Sequence, residues 1–152
     1  MARYAGHSRA WTALPALVLL AVVGPGCGKQ SLDTPEACLK AFDAAMRGGK
    51  TETAAKLLAT EKWAEDNNGD WGTAATSQRG LILSKMRDDK AGQLESLRSA
   101  YTQANYQIGA PQINGEWATV QLTGAGNPVT VQLYQRNGEW RIYSFGSLAA
   151  GE

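Results

Sequence analysis

Two copies of one tetrapeptide, Asn114-Gly115-Glu116-Trp117 and Asn137-Gly138-Glu139-Trp140, constrain this chain more than any other feature. Asn-Gly between runs that alternate apolar and polar residues marks a two-residue hairpin, because a type I′ turn needs positive φ at both central positions. Between the turns, Ala118, Val120 and Leu122 alternate with Thr119, Gln121 and Thr123, and Val129, Val131 and Leu133 alternate with Thr130, Gln132 and Tyr134. Gly124 to Pro128 supplies the intervening turn. A lead-in from Tyr106 and Ile108 through Pro111 to Ile113 and a last strand from Trp140 to Phe145 complete an antiparallel meander. One face of it goes to a core and the other to water.

The stretch before the meander is helical in pattern. Thr34-Pro35-Glu36 reads as an N-cap, a proline at the first helical position and an acid in the first turn. Cys38, Leu39, Phe42, Ala45 and Met46 then form one apolar face, and Gly48-Gly49 ends the helix. Thr51 is expected to cap a second helix with Ala54, Leu57 and Leu58 on its face, restarting after Thr60 towards Trp63. Two further helices are predicted, one from about Ser77 to Asp88 and one from Lys90 to Ala104. Between them and Trp63, Asp66 to Thr76 reads as a polar turn. Its Asp66, Asn68 and Asp70 have a calcium-like spacing, but Trp71 and Ser77 stand where such a loop needs a glycine and a bidentate acid. No metal and no cofactor is expected.

The first residues read as an address. Arg3, His7 and Arg9 precede an apolar run from Leu14 to Val23, and Gly24-Pro25-Gly26-Cys27-Gly28 follows. That order is a signal-peptide pattern, and its apolar run is well short of the roughly twenty residues a membrane-spanning helix requires. The segment resembles a bacterial lipoprotein precursor, in which a cysteine after a small residue is diacylated and becomes the first residue of the mature chain. Gly24 and Pro25 depart from the usual leucine and small residue there. The resemblance implies residues 1–26 as signal peptide, lipidation at Cys27, a tether over 27–33, one domain over 34–147, a tail at 148–152, and a membrane-anchored place in the bacterial envelope. Cleavage by the ordinary signal peptidase near Gly26 is the alternative, and it also exports the protein.

Either cleavage removes Arg3, Arg9 and the only histidine, His7, and turns the formal charge of +1 slightly negative. Without histidine a domain has no Ser-His-Asp or Cys-His nucleophile and lacks the commonest transition-metal ligand. Fifteen Lys and Arg against fourteen Asp and Glu, with neither sign in a run, argues against a nucleic-acid surface. Cys38, on the apolar face of the first helix, reads as an inert buried thiol.

Helices followed by an antiparallel meander is α+β order, and a twisted sheet of this length wraps around the first helix. On Thr34-Pro35-Glu36-Ala37 through Phe42, Gly115 through Val120 and Gly138-Glu139-Trp140-Arg141-Ile142, the chain resembles the nuclear transport factor 2-like superfamily, the cone-shaped cystatin-like fold, and within it small exported lipoproteins of unassigned function. The resemblance implies N-terminal helices on a curved antiparallel C-terminal sheet, with a pocket between them. Phe42 and Met46 from the helix, with Val120, Leu133, Tyr134 and Trp140 from the sheet, are the expected lining. Trp63 and Trp71, flanking the polar loop, are further ligand or membrane-contact candidates. Such walls suit a flat, apolar small molecule, and nothing among them would hold a phosphate, for which a Gly-rich loop or an arginine cluster is expected.

Fold alone does not choose among functions. A non-catalytic module binding a small apolar molecule or an envelope protein is the leading expectation. A proton-transfer enzyme of isomerase or dehydratase type, using a carboxylate such as Asp43 and a tyrosine, is the second. A structural role in envelope assembly is the third.

Overall fold

The computed structural model describes residues 31–146, so the expected signal peptide, the expected lipidation site Cys27 and the 148–152 tail lie outside the described residues. The first helix, α1, spans Pro35–Arg47, and the Thr34 hydroxyl accepts from the Ala37 N–H at 3.1 Å, as the sequence predicts. The helix α2 spans Thr51–Lys56, and here the expectation is corrected. Thr51 is already helical, and Lys50 stands at the cap without a side-chain bond. After a break at Leu57 to Ala59 comes α3, Thr60–Asn67.

The two helices expected between Ser77 and Ala104 are a single one, α4, Thr76–Ala104. Nothing in Asp88-Asp89-Lys90 breaks a helix, and a buried or half-buried stripe of Leu83, Met86, Lys90, Leu94, Arg98 and Tyr101 runs through it without a phase change. That three-to-four-residue repeat is the signature of one helix face. Asn105, in the left-handed region with φ 48°, ends the helix. Ala125 N–H then donates to the Ala104 carbonyl at 2.8 Å and ties the helix end to the sheet. Gly124 makes that tie possible, because a Cβ there would collide with the Ala104 carbonyl oxygen.

The sheet is curled and antiparallel. Its strands are β1 (Gln107–Ile108), β2 (Gln112–Asn114), β3 (Trp117–Thr123), β4 (Val129–Arg136) and β5 (Glu139–Phe145). Both β1 and β2 pair with β3, as two halves of one edge strand interrupted around Pro111, which has no N–H for the ladder. The other edge is closed: Ile142 N–H donates to the Leu57 carbonyl at 2.9 Å, and Ala59 N–H to the Ile142 carbonyl at 2.7 Å. The break between α2 and α3 therefore acts as a short parallel neighbour for β5, and an exposed pairing edge is avoided.

The two identical tetrapeptides do not make identical turns. In the second, Arg136 pairs with Glu139 and both Asn137 (φ 53°) and Gly138 (φ 80°) have positive φ, the type I′ arrangement. In the first, Asn114 pairs with Trp117, the central residues are Gly115 and Glu116, and only Gly115 (φ 60°) is positive. This is the type II′ pattern, shifted by one residue along the motif. A one-residue shift exchanges faces. Trp140 accordingly faces the core at 3% exposure, whereas Trp117 faces outward at 37%.

A bulge completes the inner face. Leu133 pairs with Ile142 but Gln132 pairs with Ser144, which leaves Tyr143 as the extra residue. Plain alternation would turn Phe145 outward with Arg141. The bulge returns Phe145 to the inside, where its ring lies 5.1 Å from that of Phe42. The core consists of Cys38, Leu39, Phe42 and Met46 of α1 packed on Val120, Leu122, Val131, Leu133, Trp140 and Ile142 of the sheet.

Candidate functional site

The six side chains singled out from sequence separate into three places. Phe42, Met46 and Trp140 belong to the packed core between α1 and the sheet, together with Val120 and Leu133, and none of them is open to solvent. Trp71 is also buried, at 4% exposure, with the Arg79 guanidinium 6.0 Å from its ring centre. Its candidacy as a ligand or membrane contact gives way to packing, since the turn following α3 folds the indole inward beside Arg79 of α4. Trp63 and Tyr134 remain accessible, and each lines an open recess.

Trp63 stands 44% exposed over an apolar groove of about 270 Å³ between α3, α4 and β5. Met86, Leu94 and Leu97 of α4 form one wall and Ile142 and Phe145 of β5 the other. Leu97 is itself 41% exposed. Sequence reasoning missed Leu97 and Met86 as lining, because a helix split in two at Asp88 does not place them on one face.

Tyr134 lines a second recess, of about 310 Å³, with Lys56, Thr60, Arg87, Arg136 and Arg141. The lining expected from the sequence holds nothing for a phosphate, whereas this recess, which shares only Tyr134 with it, gathers Lys56 and three arginines. These cations come from α2, α4, β4 and β5, so no local motif announces them. Several are engaged: Arg136 Nη1 lies 2.8 Å from Glu65 and 3.5 Å from Glu61, and Arg141 Nη2 donates to Glu139 at 2.6 Å. Lys56 and Arg87 enter no ion pair among the described residues.

On the outer face of the sheet, Trp117 packs its ring 5.0 Å from Tyr134 and 5.1 Å, edge-on, from Tyr143. The Lys62 ammonium covers this cluster at 5.8 Å from Trp117 and 5.4 Å from Tyr134. Trp117 and Trp140 therefore do not form a shared aromatic platform. Asp66, considered as a cation ligand, accepts instead from Lys62 and, at 3.0 Å, from the Tyr143 hydroxyl, and the Lys62 hydrogen bond holds its carboxyl below the usual range.

The carboxylate and tyrosine that proton-transfer chemistry would need do come together, as Asp43 and Tyr101. Burial, and then the Asp43 charge, push the Tyr101 hydroxyl up. Arg47 Nε donates to both Asp43 oxygens at 3.0 and 2.8 Å, and its Nη2 donates to Asn105 at 3.2 Å. Tyr101 is buried, its ring 5.7 Å from Phe42. Both Asp43 oxygens are thus taken up by Arg47, and a buried phenol with raised pKa is a weak acid. In the same interior, burial raises the Cys38 thiol to about 12.

The chain matches no protein-family model and no curated protein. Among solved structures it is similar to a Campylobacter jejuni protein provisionally named an NTF2-like transpeptidase, at 14% identity and a TM-score of 0.44, over 73% of this chain and 98% of that one.

Proposed function

We propose that this chain is an exported binding module of the bacterial envelope, anchored through lipid on Cys27, which holds a small apolar molecule in the groove between α3, α4 and β5 and does not transform it. The observation that carries the reading is the pairing of a filled interior with exposed large apolar side chains, Trp63 and Leu97, at the mouth of a groove. Apolar surface kept in water at a concave place is the usual form of a small-molecule site. A groove of about 270 Å³ lies just below the roughly 300–1,000 Å³ typical of ligand pockets, which limits the occupant to a small one.

The test has two arms. For the site, a hydrophobic fluorescent probe should quench tryptophan emission in the wild type. Leu97→Asp, which places a charge in the groove wall at an already exposed position, should abolish binding with little change in melting. Probe binding that survives Leu97→Asp and Trp63→Phe together would exclude this groove. For the anchor, Cys27→Ser should end fatty-acid labelling and release the protein from membranes. Labelling that persists in that variant removes the lipoprotein reading and leaves the groove reading intact.

A further inference from the structure

From the second recess, which adjoins the apolar groove and shares Leu58, Ala59 and Thr60 with it, we infer an anion site that takes a small organic oxyanion bearing a carboxylate or a phosphate. Three independent features converge on it. The first is charge. Glu61 and Glu139 in its lining are held by Arg136 and Arg141, so Lys56 and Arg87 contribute positive charge that no acid among the described residues balances.

The second feature is unmet hydrogen bonding. Thr60 is only 5% exposed, and its hydroxyl oxygen has no hydrogen-bond partner. Arg141 spends Nη2 on Glu139, while Nη1 is covered by protein and also has no partner. Buried donors without acceptors are uncommon in folded proteins because each retains the cost of leaving water. Both residues line this recess, and Thr60 also lines the apolar groove beside it, so an oxyanion bound here would bring acceptors close to both.

The third feature is the start of α3. Ala59 stands at the cap with no side-chain bond, and the first turn closes with Trp63 N–H donating to the Ala59 carbonyl at 2.9 Å. The N–H groups of Thr60, Glu61 and Lys62 thus have no acceptor within the helix, and the positive end of the helix dipole opens beside Lys56 and Arg141. Ala59 cannot adopt the capping role that serine, threonine or aspartate would fill. A recess of about 310 Å³ exceeds what a bare phosphate fills, which leaves room for the organic part of the ligand.

The test uses the full chain at constant ionic strength, with chloride exchanged for inorganic phosphate or for acetate at tens of millimolar, and binding followed by melting midpoint and titration calorimetry. The wild type should show a saturable rise in midpoint with at least one of the two anions. Tighter phosphate binding marks a phosphate ester as the natural class, and tighter acetate binding marks a carboxylate. Lys56→Gln with Arg87→Gln should keep the wild-type midpoint in chloride and bind about tenfold more weakly, the loss expected for a charge-assisted contact. Thr60→Val should melt at or above the wild-type midpoint in chloride and also bind more weakly. Should that variant misfold, the surface pair Lys56 and Arg87 still decides. A rise that does not saturate and is equal in wild type and variants, saturable binding undiminished in the double variant, or no rise with either anion would each overturn the assignment.

Discussion

Phe42→Ala separates a filled interior from a hollow one. The ring is 1% exposed and lies 5.7 Å, edge-on, from Tyr101 and 5.1 Å from Phe145. Truncating a buried phenylalanine costs about 3–5 kcal/mol in transfer and cavity terms. The upper part of that range applies here, because two aromatic neighbours each lose a contact of about 0.5–1.5 kcal/mol. For a domain of this size about 4 °C of melting temperature accompanies each kcal/mol, so a loss of about 4–5 kcal/mol should lower the midpoint by roughly 16–20 °C. Chemical denaturation of wild type and variant, with a shared slope, gives the free energy directly. The hydrophobic probe should bind the folded variant at least as well as the wild type, since the substitution opens space in the core and leaves the Trp63 groove intact. A loss under about 1 kcal/mol, accompanied by loss of probe binding, would refute the reasoning. That outcome belongs to a ring lining an empty cone.

Gly138→Val adds no collision, since nothing lies within 4 Å of the new Cβ, but it forces a β-branched residue to φ 80°. It should cost about 1–3 kcal/mol, while Thr130→Val costs well under 1 kcal/mol, and equal melting midpoints for the two would remove the turn assignment. Gly124→Ala should destabilise more than Gly138→Val, because its Cβ meets the backbone carbonyl of Ala104 rather than a movable side chain; a midpoint within a degree or so of wild type would dissolve the proposed tie between α4 and the sheet. Cys38, raised from 9.0 to about 12 by burial, favours the neutral thiol in the folded state, so its contribution is complete below pH 9.0 and is lost as pH rises from there towards 12. Cys38→Ala should therefore flatten the alkaline loss of stability over that interval, and a Cys38 that reacts with thiol reagents at pH 8 as fast as a free cysteine would contradict its burial.

What the sequence made legible was whatever a local pattern encodes, and the departures have local causes too. Thr34-Pro35 at the start of α1 and the period-two runs of β3 and β4 specify their own geometry with little help from elsewhere. The two tetrapeptides are chemically identical, so the choice between type I′ and type II′ turns has to come from outside them. Placing Ala118, Val120 and Leu122 inward obliges Trp117 to face outward, and the turn before it must then take Gly115-Glu116 as its centre. After the second turn, Trp140 and Ile142 must face inward, and the centre moves back to Asn137-Gly138. Core demand selects the register, and the turn complies at the one residue, glycine, that tolerates either role. The bulge at Tyr143 follows the same logic, since both Ile142 and Phe145 belong inside and an odd spacing separates them. The recesses were illegible for a different reason. Lys56, Arg87, Arg136 and Arg141 are each an ordinary solvated charge in the sequence, and only the fold, with β5 closed by the Leu57 to Ala59 segment, brings α2, α4 and the ends of β4 and β5 to a common wall. A site built from four elements at a sheet edge has no motif, and its signal is the set of polar atoms that the fold leaves without partners.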